Sequence, residues 1–440
     1  MSRIFIQGGR VIDPASGFDQ TADVCVRDGR IESIDESPGN FKGETGDRII
    51  EAEGMIVAPG LIDIHVHLRE PDDRHEETVA TGAAAAIAGG FTSICCMPNT
   101  RPPLDSAAWM EFIRHKGDVA NQARVFPIGC ATMGRMGERL APIGAMAKAG
   151  AAGFSDDGDA VADAGVMARV LKVVAAHDSC FMQHCQEPSL TQGAVMNAGS
   201  LATRLGLTGW PAVAEEIILE RDIRLNRSIG CRYHAQHLSS GGSVEIIRQA
   251  RAEGFLITGE ASPHHLLLTE ESCQDYDAMA KMNPPLRRQE DIDALKKGIA
   301  EGVITILATD HAPHPAESKH TDFAAASFGI VGLECALALY VKALIDDGVI
   351  DWPRLIAMMT VEPARLTGLD RRGFGALKTG GPADITVIDP ECEWIIDADR
   401  FASTGRNCPF QGWEVKGQAA LVMVGGEVRM DRMPASLPVS

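Results

Sequence analysis

The stretch MIVAPGLIDIHVHL (residues 55–68) joins a run of apolar residues to two histidines at its end. Apolar and β-branched residues dominate the run, which is typical of a buried β-strand. Because side chains alternate along a strand, His65 and His67 share one face, about 6.5–7 Å apart along the strand. Both imidazoles can therefore reach one metal ion, although a lone H-x-H pattern is a weak signal.

Seven further segments of this kind follow, with helix-like stretches such as EETVATGAAAAIAGG (76–90) between them. The segments are FTSICCMPN (91–99), ARVFPIGCAT (123–132), GAAGFSDD (150–157), SCFMQHCQE (179–187), CRYHAQHLSS (231–240), FLITGEASPHHLLL (255–268) and VITILATDHA (303–312). Eight alternations of strand and helix predict an α/β fold, a (β/α)8 TIM-type barrel. A doubly wound sheet is the alternative for the same alternation.

The two ends of the chain differ from this middle. Short strands with turns are predicted in RIFIQGGRVID (3–13), ADVCVRDGRIESI (22–34) and DRIIEAEGMIVAPG (47–60), and again in ADITVIDPECEWIID (383–397) and GQAALVMVGGEVRM (417–430). Each end alone is too short to enclose a core. The two ends together therefore predict one small β-sandwich domain.

This reasoning divides the chain into three parts. Residues 1–56 and 371–440 are predicted to form the β-sandwich domain, and residues 57–370 the barrel. Two separate β appendages are the less economical alternative.

Composition narrows the class of protein. The 440 residues carry a formal net charge of -19, whereas non-specific nucleic-acid binding needs clustered Lys and Arg. A few local cations would still suffice for an anionic substrate. The sequence shows neither a secretory leader pattern nor an apolar run of membrane-spanning length. Eleven cysteines, an odd number without zinc-type CxxC spacing, indicate reduced thiols in a cytoplasmic protein.

Polar residues end nearly every predicted barrel strand. In barrel enzymes the active site lies at the C-terminal ends of the strands. Besides the H-x-H pair, the candidates are Asp156 and Asp157 on strand four, His184 on strand five, His237 on strand six and Asp310 on strand eight. Any one of them alone is better explained as a core histidine or a helix-capping aspartate. Together they predict a metal site, and imidazole with carboxylate suits Zn²⁺ while admitting Mn²⁺, Co²⁺ or Fe²⁺.

Five separated motifs give the sequence a resemblance to a known family. They are DIHVHLREP (63–71), CMPNT (96–100), NPPLR (283–287), SFGIVGLE (327–334) and ATDHAPH (308–314). These motifs resemble those of dihydroorotases and their cyclic-amidohydrolase relatives, and the resemblance covers essentially the whole chain. It implies a barrel enzyme that interconverts N-carbamoyl-L-aspartate and L-dihydroorotate, a step of de novo pyrimidine (UMP) biosynthesis.

The resemblance also implies roles for the strand-end residues. One or two Zn²⁺ ions would be held by a set of six residues, namely His65, His67, Asp157, His184, His237 and Asp310. Hydantoin-cleaving relatives usually carry a carboxylated lysine on strand four, where this sequence has only aspartates, so Asp157 would take the bridging place. A metal-activated hydroxide would attack the ring amide, with Asp310 as general acid and base.

A carboxylated substrate needs cations or hydrogen-bond donors near the metal. Arg69 lies two residues beyond His67 on the same strand face, and its planar fork suits a carboxylate. Asn99, His314 and Asn283 are expected to complete this pocket. His311 is predicted to support the ligands rather than to bind metal, and the roles of His264 and His265 are left open.

Several points stay open at this stage. Asp72 stands where the family usually has glycine, which would matter if that position needs a positive φ. The polar stretch 315–328 is predicted to be a mobile lid. A homodimer or an association with aspartate transcarbamoylase is expected from the resemblance.

The rival functions are another cyclic amidase of the allantoinase or hydantoinase kind, a non-catalytic partner of aspartate transcarbamoylase, and a plain metal-binding module.

Overall fold

The structure is a computed structural model that describes residues 3–39, 46–72 and 76–433. Its strands are β1 (Ile4–Asp13), β2 (Phe18–Arg27), β3 (Arg30–Asp35), β4 (Arg48–Glu51), β5 (Ile56–Pro59), β6 (Leu61–Val66), β7 (Phe91–Cys96), β8 (Arg124–Cys130), β9 (Gly153–Ser155), β10 (Cys180–Gln183), β11 (Met196–Asn197), β12 (Gly209–Trp210), β13 (Arg232–Ala235), β14 (Ile257–Ala261), β15 (Ile306–Leu307), β16 (Ile385–Ile395), β17 (Glu414–Val424) and β18 (Glu427–Asp431).

The α-helices alternate with the middle strands. They are α1 (Val79–Gly89), α2 (Ala107–Ala120), α3 (Ile143–Lys148), α4 (Ala164–Ala176), α5 (Pro188–Thr191), α6 (Ser200–Leu205), α7 (Val213–Asn226), α8 (Gly241–Ala252), α9 (Pro263–Leu267), α10 (Gln289–Ala300), α11 (Ala316–Lys319), α12 (Ala336–Tyr340), α13 (Trp352–Met359) and α14 (Val361–Thr367).

Local sequence explains where these helices begin and which face they bury. Thr78 caps α1 in a capping box with Thr81, and Gly90 ends the helix in the left-handed conformation. Asp163 caps α4, whose buried Val170 and Val174 lie four residues apart on one face. Each helix thereby presents an apolar stripe to the barrel.

Eight parallel strands form the barrel, in the order β6-β7-β8-β9-β10-β13-β14-β15. The ring closes where Val66 bridges His311 and where the His67 N–H donates to the His311 carbonyl at 2.9 Å. The Tyr340 hydroxyl lies between the ends of β14 and β15, where it donates to the Ala308 carbonyl at 2.8 Å and lies 3.1 Å from the Ala261 carbonyl. Each of the eight predicted segments supplies one strand, so the barrel prediction is confirmed and the doubly wound alternative is excluded.

Strands from both termini form a second sheet. Its order is β18-β17-β16-β5-β1-β2-β3, with β4 pairing β1, and residues such as Ile6, Val24 and Leu421 form its own buried core. The prediction of one small β domain built from both ends is confirmed. Its exact boundaries at 1–56 and 371–440 stay a prediction.

The junction between the two sheets is one residue long. Gly60 separates β5 of the terminal sheet from β6 of the barrel. A Cβ atom at Gly60 would lie 2.1 Å from Oγ1 of Thr92, so any side chain there would collide with β7. The glycine therefore allows the terminal sheet to lead directly into the strand that carries His65.

Two expectations from composition can be compared with the structure. All eleven cysteines fall within the described ranges and are free thiols, as expected for reduced cysteines. Among the helices of the described residues, none combines the length and the apolar character that a membrane crossing requires.

Candidate metal and active site

Six side chains predicted from the sequence meet at the C-terminal end of the barrel. Each follows or ends a different barrel strand, except for the pair on β6, and all six are buried: His65, His67, Asp157, His184, His237 and Asp310. Their donor atoms form three overlapping groups, in each of which all atoms lie within 4.8 Å of one another. The groups are His65 with His237 and Asp310, His65 with His67 and Asp157, and Asp157 with His184 and His237. The barrel thus brings together residues that lie up to 245 positions apart.

The donor set fits a metal ion. The Nε2 atom of His65 and the Oδ1 atom of Asp157 are buried without a hydrogen-bond partner, a costly state for polar atoms. His184 Nδ1 lies 2.7 Å from His237 Nε2, so two ring nitrogens face each other. A cation coordinated by these nitrogens and carboxylates would satisfy all of them. The site therefore could hold one metal ion or more.

The two strand-four aspartates have different surroundings. Asp156 accepts hydrogen bonds from the backbone N–H groups of Ala131 and Thr132 at 2.9 and 3.0 Å, which fixes a neighbouring loop. Asp157 instead lies 3.4 Å from Nε2 of His65 and 3.6 Å from Nδ1 of His184. Only the second carboxylate is therefore placed to share a metal with the histidines.

Opposite charges hold this cluster. Burial alone lowers the pKa of His65, but the surrounding carboxylates outweigh it and raise that pKa well above its usual value. Burial likewise raises the carboxyl pKa values of Asp157 and Asp310, but attraction to His65 dominates and lowers both. Both aspartates are thus anionic and available as ligands near neutral pH.

Glu260, which sequence reasoning missed, supports the ligands from β14. Its carboxylate lies 2.5 Å from Nδ1 of His65 and 2.9 Å from Nε2 of His234, and it accepts the His237 N–H at 3.0 Å. A carboxylate on one ring nitrogen of a histidine fixes the tautomer that leaves the other nitrogen free for metal. The signal available in the sequence was a glutamate inside a strand that is otherwise buried.

A pocket of about 170 Å³ opens beside the six residues. All four residues predicted to bind substrate line it, namely Arg69, Asn99, Asn283 and His314. The Arg69 Nη2 atom lies 3.3 Å from Nε2 of His314, and its Nε donates to the Pro313 carbonyl at 3.2 Å. Burial and the nearby Arg69 charge lower the pKa of His314 to about 2, so this imidazole is neutral.

Asn99 has a contact that its predicted role did not include. Its Oδ1 atom lies 2.8 Å from Nδ1 of His67, which leaves Nε2 of that ring facing Asp310 at 2.9 Å. Asn99 therefore orients a candidate ligand as well as lining the pocket. Asn283 donates to Gln186 Oε1 at 3.4 Å, while its own Oδ1 is buried without a partner.

The three remaining histidines, His264, His265 and His311, are buried and are not among the residues that line the pocket. His311 Nδ1 accepts from the N–H groups of Gly332 and Leu333, each at 3.4 Å, so it faces away from the cluster. His265 donates through Nε2 to the Pro284 carbonyl at 3.0 Å. Burial lowers the pKa of His264 to about 4, which keeps it neutral.

A segment near the C-terminus bonds to the backbone of three pocket residues, and sequence reasoning did not assign it a role. The Asn407 side chain donates to the carbonyls of Ala312 and Gly329 at 2.9 and 3.0 Å, and accepts the His314 N–H at 3.1 Å. One amide thus joins the two loops that carry pocket residues.

The open question at Asp72 concerned backbone strain. Asp72 is not among the non-glycine residues with positive φ in the described chain, whereas Arg69 has a φ of 62°. The substitution of the family glycine therefore brings no left-handed strain at that position. The strain lies instead at the arginine that lines the pocket.

The amino-acid sequence of this chain is similar to sequences of known proteins. A family model described as "Dihydro-orotase-like" matches residues 54–243. The chain is 44% identical over 425 residues to a curated dihydroorotase of Geotalea daltonii, covering 97% of this chain and 98% of that one. It is also 44% identical over 428 residues to a dihydroorotase of Pelotomaculum thermopropionicum, with 97% and 98% covered.

Solved structures share the fold. An L-hydantoinase (dihydropyrimidinase) from Arthrobacter aurescens superposes with a TM-score of 0.86 at 26% identity, covering 99% of this chain and 98% of that one. A dihydropyrimidinase from Brevibacillus agri has a TM-score of 0.83 at 20% identity, with 98% and 95% covered. The second likeness concerns the fold alone.

Proposed function

This chain belongs to the dihydroorotase family, and on that basis we propose that it interconverts L-dihydroorotate and N-carbamoyl-L-aspartate in pyrimidine biosynthesis. One observation supports this function most directly. Five of the six candidate metal ligands, all except His65, and the Arg69–His314 pair line a single pocket of about 170 Å³. A reacting amide and a substrate carboxylate therefore fit side by side.

The proposed cofactor is Zn²⁺, as one or two ions. Its ligands would be the six buried side chains His65, His67, Asp157, His184, His237 and Asp310. When bound, Zn²⁺ polarises a carbonyl and lowers the pKa of water to about 7. Glu260 and Asn99 would hold His65 and His67 in the tautomers that present Nε2 to the ion.

Asp310 is the proposed general acid and base. It follows β15 with a φ of 50°, a left-handed conformation that is uncommon outside glycine and is often found at functional sites. In hydrolysis Asp310 would accept a proton from the attacking water and deliver it to the ring nitrogen as the amide C–N bond breaks. In ring closure it would remove the proton from the ureido nitrogen. A group in this role typically contributes 10²–10⁴-fold.

The substrate carboxylate is assigned to the part of the pocket that Arg69 and His314 line. Arg69 would bind it through its planar fork, with Asn99, Asn283 and neutral His314 as neighbouring donors. The buried, unpartnered Oδ1 atom of Asn283 can accept from a ring N–H of the substrate.

The test is an assay of the purified protein with L-dihydroorotate at alkaline pH and N-carbamoyl-L-aspartate at mildly acidic pH. Ring opening and ring closure are expected in metal-replete protein, to be abolished by a chelator and restored by Zn²⁺. Absence of both reactions in metal-replete protein would contradict the proposal. A non-catalytic partner would bind no stoichiometric metal.

A second candidate is hydantoin or dihydropyrimidine hydrolysis, favoured by the structural likeness to the Arthrobacter L-hydantoinase. These rings lack the carboxylate that Arg69 would bind. A substrate panel separates the two, because the Arg69→Met variant should lose activity on dihydroorotate but not on an uncarboxylated ring.

The finer proposals concern assembly and location. We propose a homodimer, an association with aspartate transcarbamoylase, and residence in the cytoplasm, which the free thiols support. Light scattering of the pure protein and co-elution with the transcarbamoylase test the first two. Movement of the 315–328 lid stays a prediction.

A further inference from the structure

The 315–328 segment forms one side of the pocket. His314 precedes it, and Phe328 and Gly329 at its end line the cavity. The segment is folded on itself, because the Ser327 N–H donates to the Ser318 carbonyl at 3.0 Å. Its position therefore decides the shape of the side on which substrate would lie.

Two buried lysines tie this segment to the barrel. Lys319, in α11, is 2% exposed and donates to the carbonyls of Ala278 at 2.9 Å, Lys281 at 3.1 Å and Ser327 at 2.8 Å. An ammonium group has three N–H donors, so all of them are used on backbone oxygens. The side chain thus holds together both ends of the segment and the turn before Met282.

Lys281 makes the reciprocal set of bonds. It is 1% exposed and donates to the carbonyls of Phe323 at 2.7 Å, Ala324 at 3.0 Å and Ala326 at 2.7 Å. Lys281 thus binds the backbone of the 315–328 segment from outside it. Lys319, within the segment, binds the backbone of Ala278 and Lys281 outside it. Together the two ammonium groups make six hydrogen bonds around the segment.

The charges make this arrangement unusual. Among residues 3–39, 46–72 and 76–433, neither lysine forms a salt bridge. Burying an ammonium group without a carboxylate costs free energy that a pair of apolar side chains would avoid. Apolar residues would fill the same space at a lower cost. The benefit of the two lysines therefore lies in the position of the backbone that they bind.

Lys281 and Lys319 together are called the lysine clamp. The clamp contacts residues that line the pocket. The Nζ atom of Lys281 lies 4.5 Å from the ring centroid of Phe328, and the Gly329 N–H donates to the Lys281 carbonyl at 3.0 Å. A Cβ atom at Gly329 would lie 2.7 Å from the His314 ring, so these groups are closely packed. A shift of the segment would therefore displace both Phe328 and His314.

We propose that Lys281 and Lys319 are positioning residues that hold segment 315–328 closed against the substrate pocket. The proposal rests on the proposed function for the nature of the substrate, a ring that carries a carboxylate. The clamp sets the places of Phe328 and His314, and through them the affinity for that substrate. It takes no part in proton transfer.

The first experiment compares the Lys319→Met and Lys281→Met variants with wild-type holoenzyme. Methionine keeps the side-chain length but leaves three buried carbonyls without donors. We expect the KM for L-dihydroorotate to rise about tenfold or more while kcat and metal content stay within about twofold. Lys297→Met, a change at a surface lysine that is 69% exposed, is the matched control and should alter none of these.

Limited proteolysis supplies a readout that does not depend on turnover. Chymotrypsin cleaves after phenylalanine, and Phe323 is buried in the closed segment. Cleavage there should be at least tenfold faster in both variants than in wild type and unchanged in the control. If a folded variant keeps the wild-type KM and the wild-type cleavage rate, the clamp is refuted. A fall in kcat that matches the rise in KM, with loss of metal, also refutes it, because that indicates general damage to the site.

Wild-type protein supplies a third arm, which decides the matter if the variants do not fold. Burial lowers the pKa of Lys281 to about 8, and burial together with the Lys281 charge lowers that of Lys319 to about 7. The titratable groups facing them are each other, Asp277, Cys273 and His314. An opened segment would restore the ordinary lysine pKa values and take up protons. Opening therefore becomes more costly as pH rises through this range, and the segment should tighten.

Hydrogen exchange measures this tightening. After correction for the intrinsic rate, the Ser327 and Gly329 amides should gain at least tenfold protection as pH rises, relative to the barrel amide of Gln236. Equal protection across the range would overturn the proposal. If wild type shows no turnover of L-dihydroorotate while these amides respond as expected, the dihydroorotase assignment fails and the clamp stands.

Discussion

Nδ1 of His65 lies 2.5 Å from Oε1 of Glu260, a fully buried carboxylate on β14 that no motif in the sequence singled out. β14 lies two strands from β6 across the barrel closure. The contact aligns the imidazole with its Nε2 atom toward Asp157 and Asp310, each 3.4 Å away. It follows that the geometry of the candidate metal site depends on a residue outside the proposed ligand set.

Glu260→Gln tests this dependence. The amide keeps the shape of the side chain but removes the negative charge that holds His65 and His234. We expect metal affinity to fall by about 10–100-fold, as is typical when a carboxylate behind a histidine ligand is lost. Competition with a chelator measures it, with the surface change Glu290→Gln as control. Unchanged affinity would mean that Glu260 only fills space.

Asp310→Asn tests the proposed acid–base role. The amide cannot take up the proton, so kcat is expected to fall by about 10²–10⁴-fold. Metal analysis of the variant should still find an ion, because the other five side chains remain. Asp322→Asn, a change at an exposed carboxylate of the 315–328 segment, is the control. A variant with wild-type kcat would rule out Asp310 as the proton carrier.

Asn407→Ala tests the link between the C-terminal segment and the pocket. Its loss would leave the buried carbonyls of Ala312 and Gly329 without their donor and would free the His314 backbone. We expect a loss of roughly 1–3 kcal/mol in unfolding free energy and a severalfold rise in KM. Denaturant titration and steady-state kinetics measure these, with exposed Gln249→Ala as control. Stability loss without any change in KM would confine Asn407 to a structural role.

Glu334 gives a prediction for pH. Burial raises its pKa to about 7, well above the ordinary value of 4.5. The folded state then holds a proton that the unfolded state has lost between these values, so wild-type stability should fall as pH rises through this window. In the wild-type protein the Ser403 N–H donates to the Glu334 carboxylate at 3.1 Å. Glu334→Gln removes the pH dependence and keeps an oxygen that can accept this hydrogen bond.

The size of this effect is roughly 1–2 kcal/mol after allowance for solvent screening. Relative to wild type, the variant should be more stable at alkaline pH than at acidic pH by about this amount. Thermal unfolding across the pH range measures it, and Glu111→Gln on the exposed face of α2 is the control. Parallel pH profiles for wild type and Glu334→Gln would contradict the assignment.

Some features could be predicted because they depend only on residues that are close together in the sequence. The alternation of apolar strands with helices such as α1 and α4 requires only periodicity and capping residues. The position of each histidine or aspartate at a strand end is likewise visible in the sequence. A parallel barrel brings all strand ends to one rim, so the order of the strands is enough to predict which side chains meet.

Other features depend on contacts that no short window contains. Glu260 lies inside a strand, where a carboxylate gives no sign of its partner until the barrel closes. Asn407 bonds to the backbone of Ala312, a pocket residue that lies 95 positions earlier in the chain. Lys281 and Lys319 would each be expected at the surface, and only the folding of the 315–328 segment buries them.

The sequence by itself therefore determined the fold class, the kind of chemistry and the side chains that meet at the barrel rim, because periodicity and strand-end position act over a few residues. Only the tertiary structure decided which nitrogen of His65 and His67 is free, which loops the Asn407 amide joins, and where two buried ammonium groups find their oxygens. These outcomes depend on hydrogen bonds between atoms far apart in the chain, and such bonds form only when packing excludes water and leaves no other partner.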